Sequence, residues 1–369
     1  MDVPERADLV IIGGGAIGTS ALYYATVRGV RSPLLIERNT LGSGSTGAAA
    51  GGFRAQFSDE LNIRISLESI RRLELFAEEP GAALDLKQWG YLFLLREDEL
   101  PGFRESVRLQ QSLGAPSRII TAAEAAEIVP GLNVSDIGGA SFCPIDGYVT
   151  PMEVVDGYAA GARRAGAKIA QGCEVLSVLT EKGRVAGVET SQGRVRTSTV
   201  ILAAGIWAPA LARPLGLELP VEPEQRHVYF TEPGDDLPHE LPLTIDFQTS
   251  FYFHREGDGL LFGGREQRLE DLAPLAVHRL PQLERLGVRS GWSGYYEVSP
   301  DHNALVGAAA DPEGLFYATG FSGHGFQQSP VVGEHLIDQA LGKSTWIDLS
   351  ALSADRFKAG MLRTEANVV

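Results

Sequence analysis

The residues with the sharpest chemical content lie near the start of the chain. Gly13-Gly14-Gly15-Ala16-Ile17-Gly18 carries the spacing Gly-x-Gly-x-x-Gly. It follows the apolar, β-branched run Leu9-Val10-Ile11-Ile12, and it opens a helix-compatible stretch, Ala16 to Arg28, with Gly29 as its stop. A second apolar run, Pro33 to Ile36, leads into Glu37 and Arg38. In this strand–turn–helix–strand context the spacing is a dinucleotide-binding fingerprint. Gly13 permits the tight turn, Gly15 lets backbone approach a pyrophosphate, and Gly18 lets the helix pack closely on the strand. Ala16 and Ile17 belong to the helix start, whose free N–H groups and dipole favour phosphate. Glu37 is placed to accept hydrogen bonds from ribose hydroxyls, and its charge disfavours a 2′-phosphate. The run Gly42-Ser43-Gly44-Ser45-Thr46-Gly47-Ala48-Ala49-Ala50-Gly51-Gly52 follows. Such small residues let backbone pass close to a large, flat ligand, while amides and hydroxyls bind its polar atoms. That argues for a flavin dinucleotide over a nicotinamide one.

These residues need rigid elements behind them. Leu9 to Ile12 and Pro33 to Ile36 read as strands covered on both faces. Asp59 to Glu78 reads as a long amphipathic helix, and Met152 to Ala165 as another. Glu174 to Thr180 and Arg184 to Thr190 read as a hairpin, and Arg196 to Leu202 as a buried strand ending at Ala203-Ala204-Gly205. Strand-like segments dominate from Gln225 to Val298, among them Val228 to Phe230, Ser250 to His254 and Leu260 to Gly263. Leu315 to Thr319 is a further strand and Gln328 to Leu341 a closing helix. The fold class is α/β (α+β overall). A Rossmann-like FAD-binding domain, 1–80, 146–216 and 302–369, is interleaved with a β-rich substrate domain, 81–145 and 217–301.

Composition narrows the functions. Against 32 Lys and Arg stand 47 Asp and Glu, a net charge of −15. That balance argues against a protein whose main ligand is nucleic acid. The two cysteines, Cys143 and Cys173, exclude a disulfide scaffold or Cys-rich metal site. The 7 histidines show no ligand-like spacing, so no metal is assigned. No apolar run reaches the roughly 18 residues of a membrane span. No basic segment precedes a long apolar one, and a cytoplasmic location is expected.

Further segments carry a family likeness. Asp146-Gly147-Tyr148-Val149-Thr150-Pro151, Leu202-Ala203-Ala204-Gly205-Ile206-Trp207, Ser299-Pro300-Asp301-His302-Asn303 and Gly320-Phe321-Ser322-Gly323-His324-Gly325-Phe326 stand in order after the fingerprint. With it they make the chain resemble the D-amino acid oxidase-like flavoproteins. The nearest group is that of sarcosine oxidase, the sarcosine oxidase β-subunit, dimethylglycine dehydrogenase and the proline dehydrogenase β-subunit. The resemblance spans nearly the whole chain. It implies FAD, and hydride loss from the carbon next to a substrate nitrogen, giving an imine that hydrolyses. Expected cofactor contacts, beyond Gly13, Gly15, Ala16, Ile17, Gly18, Glu37 and Arg38, are Ser43, Ser45, Thr46, Ala49, Ala50, Gly51 and Gly52. Val175, Ala203, Ala204, Gly205, Trp207 and Gly294 follow, and Gly320, Ser322, Gly323, His324, Gly325, Phe326 and Gln327 complete the set.

The resemblance also nominates reacting-end residues. Arg54 stands where relatives carry an arginine for the substrate carboxylate, a task suited to a guanidinium fork. An ordinary ion pair with Asp59 or Glu60 is the competing role. His324 matches a histidine near the flavin ring, where it could also simply hold its loop. Gln327 departs from the lysine common in monomeric sarcosine oxidases, and it brings hydrogen bonds without charge. Arg265 could make up that charge, or pair with Glu266 or Glu270. Tyr252 or Tyr296 could close the substrate pocket. Leu261 stands where monomeric sarcosine oxidases have an oxygen-activating lysine, which leaves O2 and another electron acceptor both open. Gly294-Tyr295-Tyr296 takes the place of a flavin-linking cysteine, so noncovalent FAD is expected. A small amino acid or amine substrate is the first reading, covering sarcosine, dimethylglycine, glycine, proline or a D-amino acid. A 2-hydroxy acid oxidoreductase, needing His324 or His254 as base, is the second. A flavin-bearing electron-transfer subunit is the third. Both a homo-oligomer and a partner redox subunit remain open.

Overall fold

The computed structural model describes residues 3–234, 237–266 and 268–368. A six-stranded sheet forms the first layer. Its strands run in the spatial order Leu305–Ala308, Leu315–Thr319, Val200–Leu202, Leu9–Ile12, Pro33–Glu37 and Lys168–Gln171. All neighbours are parallel except Leu305–Ala308 with Leu315–Thr319. Leu9 to Ile12 are buried throughout, as a strand covered on both faces must be. One face carries the helices Ala16–Val27, Pro151–Arg164 and Gly325–Ala340. The first and third approach so closely that a Cβ on Gly333 would stand 2.3 Å from Ser20 Oγ. The other face is covered by the three-stranded sheet of Val175–Glu181, Arg184–Thr190 and Gly193–Arg196.

The second layer is an eight-stranded sheet. Its order is Val288–Val298, Glu222–Thr231, Gly259–Gly263, Phe251–Glu256, Leu243–Asp246, Tyr91–Leu95, Gly139–Cys143 and Arg118–Ile120. The period-2 alternation of these strands sorts their side chains. Leu92, Leu94, Phe253 and Phe262 share a core with Leu272 and Ala276 of the helix Leu269–Arg279. Tyr91, Phe93, Leu243, Ile245 and Tyr252 point the other way.

The elements differ from expectation in four places. The single strand expected over Arg196 to Leu202 is two strands in different sheets, because the Thr197 hydroxyl accepts the Thr199 N–H at 3.2 Å and turns the chain between them. The helix expected from Asp59 is Glu60–Glu74, with the Asp59 carboxylate capping the N–H groups of Leu61 and Asn62. The strand-dominated stretch contains Leu269–Arg279, a helix whose internal Pro274 obscures it in the sequence. The closing helix begins at Gly325, which draws the expected ring-binding loop into its first turn.

Candidate functional site

The fingerprint builds one end of a cavity of about 350 Å³. Gly13 has φ +109°, and a Cβ there would stand 2.3 Å from Ala203 O. A Cβ on Gly18 would stand 1.9 Å from Gly13 O. Both glycines therefore serve the chain's own packing. Gly15 differs. Its φ is an ordinary −79°, and a Cβ would meet only Thr46 Oγ1, at 3.0 Å. The space it leaves is cavity. Thr46 Oγ1 also accepts the Ala16 N–H at 3.2 Å, tying the small-residue run to the helix start.

Glu37 lines the same cavity and organises the turn. Its carboxylate accepts the N–H groups of Gly14 at 2.7 Å and Asn39 at 2.8 Å. Arg38 lies 3.8 Å over the Trp207 ring, and with Val175 and Leu176 these two line a slot beyond Glu37. Ser43, Ser45, Ala203, Ala204 and Gly205 line the cavity further along. A long groove with a glycine cradle, a helix N-terminus and an acidic residue beyond it has the donor set that adenosine and pyrophosphate need. The residues fit FAD.

At its far end stands Glu297, which the sequence did not single out. Burial pushes its carboxyl up to about 7. The Thr319 hydroxyl is 2.9 Å from Glu297 Oε2 and also 2.9 Å from Gly205 O. A hydroxyl with one hydrogen serves both contacts well when Glu297 carries a proton.

A second, smaller cavity of about 90 Å³ adjoins the first at Ser45. Backbone of Ala48 to Gly52, with Gly323 and Phe326, forms one wall. The opposite wall is the eight-stranded sheet, through Tyr91, Arg226, Val228, Leu243, Ile245, Tyr252 and Tyr296. Gly294 and Gly323 allow the walls to close. A Cβ on Gly294 would stand 2.5 Å from Ala48 Cβ, and one on Gly323 2.7 Å from the Tyr296 ring. Burial raises the phenols of Tyr91, Tyr252 and Tyr296 above the usual tyrosine value, so all three remain O–H donors. Among the described residues lining this cavity there is one cation, Arg226, and neither carboxylate nor histidine.

Arg54 is buried beside this cavity but does not line it. Protein atoms occupy its fork. Nη1 donates to Gln56 O, and Nη2 donates to Asn367 O at 2.7 Å and lies 3.1 Å from His324 Nε2. The guanidinium also sits 4.0 Å over Phe57. An arginine only donates, so Nε2 of His324 is the acceptor and that ring is neutral. Burial, then Arg54, lowers the His324 pKa well below the usual histidine value, in agreement. The Gln327 side chain is buried and accepts the Arg54 N–H at 2.5 Å. Ser322 has φ +52°, with its N–H on Glu297 O, and Gly320 packs on Leu305. Gly325 opens the helix behind them. Arg265 is exposed and lines neither cavity. His254 lies outside both. Its two ring nitrogens face Arg255 O at 2.8 Å and Ala50 O at 3.0 Å, and burial lowers its pKa to about 4.

Besides Glu297, two residues of the smaller cavity escaped the sequence. Tyr91 sits in the apolar run Tyr91-Leu92-Phe93-Leu94-Leu95, which reads as core. Arg226 sits in Glu224-Gln225-Arg226-His227, which reads as a solvated strand end. Its parity with Val228 was the available signal.

Among the described residues no helix is long and apolar enough to cross a membrane, and no group of His, Cys, Asp and Glu could hold a metal. Both cysteines are free and buried.

Comparison with known proteins bears on this geometry. The sequence model of the family described as FAD dependent oxidoreductase matches residues 8–339. The FAD-dependent oxidoreductase domain-containing protein 1 of Xenopus laevis is 31% identical, over 99% of this chain and 85% of that protein. Mouse mitochondrial dimethylglycine dehydrogenase is 30% identical over 96% of this chain, which spans only 44% of that enzyme's length. Among solved structures, L-proline dehydrogenase from P. horikoshii superposes with a TM-score of 0.92 at 31% identity, covering 98% of this chain and 100% of that one.

Proposed function

Since the chain belongs to the FAD-dependent oxidoreductase (DAO) family, we propose that it oxidises a small amino acid carrying a primary, secondary or tertiary amine. Sarcosine, dimethylglycine, glycine, proline and D-amino acids define the class. When bound, FAD accepts the hydride that leaves the carbon next to nitrogen. The nitrogen lone pair becomes the C=N bond, and water then splits the imine to an amine and a carbonyl compound. The single observation carrying this reading is the second cavity. It is small, lined by one cation, Arg226, by four tyrosines and by otherwise uncharged residues, and it adjoins the cofactor groove at Ser45.

The chain's own residues supply position rather than strong acid–base chemistry. The strand carrying Val228 and the loop Ala48 to Gly52 wall the cavity and would shield a bound substrate from water. The phenols hold polar substrate atoms. A neutral amine needs no base to release its hydride. A 2-hydroxy acid does need one for the hydroxyl proton, and the lining holds neither histidine nor carboxylate. That difference favours the amine over the alcohol. No lysine lines either cavity among the described residues, so a cation of the kind that assists superoxide formation at a flavin is not supplied by lysine. We take an acceptor other than O2 as the physiological one.

The test is product analysis. The purified protein is incubated with each amino acid and with lactate and glycolate, once in air and once with a redox dye, and carbonyl products are assayed. Aldehyde or keto acid from amino acids, faster with dye, is expected. Product from the hydroxy acids alone contradicts the reading, and turnover in air as fast as with dye contradicts the choice of acceptor.

A further inference from the structure

We propose that Arg226, rather than Arg54, anchors the substrate carboxylate. The inference rests on the amino acid reading above and goes further, to which side chain sets the preference for an acid.

Three observations converge on Arg226. First, it is the cation in the wall of the smaller cavity. Second, its setting leaves donors available. Nη1 pairs with Glu224 Oε1 at 2.5 Å, on a carboxylate that is 45% exposed, while the Arg226 side chain is 14% exposed. One corner of the fork is thus held by a half-exposed carboxylate, and the remaining N–H groups make no hydrogen bond to a protein acceptor among the described residues. Third, the surroundings make room. The residue directly opposite Arg226 on the neighbouring strand is Gly294, which puts no side chain of its own against Ala48, where a Cβ would stand 2.5 Å from the Ala48 Cβ. The fork stands 5.2 Å from the Tyr296 ring centre, an aromatic support that orients a planar cation.

Arg54 has the opposite setting. Gln56 O, Asn367 O and His324 Nε2 occupy its Nη atoms, and it lies outside the cavity lining. Its geometry suits a positioning role, holding the His324 loop against the segment that carries Asn367.

A bidentate pair between guanidinium and carboxylate is charge-assisted and directional. In a half-closed site, removing one partner of such a pair weakens binding on the order of 100-fold. Glu224 competes for the same fork, so its loss should release Arg226 toward the ligand.

The test uses FAD-loaded protein and ligands that cannot be oxidised. Acetate, propionate and pyrrole-2-carboxylate are titrated against their amides, reading the shift of the visible flavin band and the thermal midpoint. The parent should prefer each acid to its amide. Arg226→Gln should weaken acid binding about 100-fold and leave amide binding nearly unchanged. Arg226→Lys should restore part of the loss, and Glu224→Gln should tighten acid binding about three- to tenfold. Unaltered acid binding in FAD-loaded Arg226→Gln overturns the proposal, and so does loss confined to Arg54→Gln. Should Arg226→Gln fail to fold, Glu224→Gln decides: unchanged or weaker acid binding overturns the assignment. Because these ligands are inert, the outcome stands apart from whether any amino acid is oxidised. Acid selectivity that depends on Arg226, without amine turnover, would sink the proposed reaction and leave the anchor.

Discussion

Gly15→Ala separates the cofactor cradle from the fold. A new methyl at Gly15 meets only Thr46 Oγ1 at 3.0 Å, and the backbone there, φ −79° and ψ −172°, is open to any residue. Gly15 is the N-cap of the helix, where alanine is worse than glycine by about 1 kcal/mol or less. The loss of unfolded-chain entropy returns about 0.4–1 kcal/mol. Stability of the FAD-free protein should therefore change by less than about 1 kcal/mol. The methyl fills the space in which phosphate oxygens meet the helix start. Losing one or two charged hydrogen bonds there costs about 3–4 kcal/mol, a fall in FAD affinity of a few hundred-fold. Gly18→Ala is the contrast. Its Cβ would lie 1.9 Å from a backbone oxygen, and the fold itself should lose about 3 kcal/mol or more. The assays are urea unfolding of FAD-free protein and FAD titration followed by flavin fluorescence. If Gly15→Ala binds FAD like the parent, or unfolds as readily as Gly18→Ala, the division of labour among these glycines is refuted.

Two further perturbations reach other parts of the site. A Cβ on Gly263 would stand 2.4 Å from the Tyr252 hydroxyl and 3.0 Å from His227 O; Gly263→Ala should displace that phenol and raise KM about tenfold by one lost hydrogen bond, with FAD content unchanged. Altered FAD content with unaltered KM would place Tyr252 outside the substrate site. Glu297 is held up at about 7 from an ordinary 4.5 by burial. The folded chain therefore holds this proton more tightly than the unfolded one. The associated stability is fully present below pH 4.5 and is lost as pH rises through 7, on the order of 3 kcal/mol in all. Glu297→Gln should remove that slope, so urea midpoints of parent and variant should diverge between pH 5 and pH 8, with the variant relatively more stable at pH 8. Parallel profiles would show that the carboxyl titrates normally.

The cofactor groove was legible in the sequence because its determinants are local. Gly13, Gly15, Gly18 and Glu37 fall within one strand–helix–strand unit, and their spacing fixes which backbone groups converge. The substrate cavity was not, because its wall is assembled by register between distant strands. Arg226 meets Gly294 only through the pairing of Glu222–Thr231 with Val288–Val298, and Tyr91 joins them through the parallel neighbour Leu243–Asp246. Neither position differs in type from its sequence neighbours. Arg54 shows the converse. Its position next to the glycine run was plain, but the groups that occupy its fork come from His324 and Asn367, 270 and 313 residues away along the chain. The hidden helix Leu269–Arg279 follows the same logic, since packing of Leu272 and Ala276 into the sheet core outweighs an internal proline.

The central claim is that the small cavity presents an amino acid, rather than a hydroxy acid or no substrate, to bound FAD. Anaerobic mixing of FAD-loaded protein with single amino acids and 2-hydroxy acids, recording the visible flavin band, tests it most directly. Rapid, saturable bleaching by at least one of sarcosine, dimethylglycine, glycine, proline or a D-amino acid is the predicted result. Bleaching by lactate or glycolate with none by any amine would contradict it.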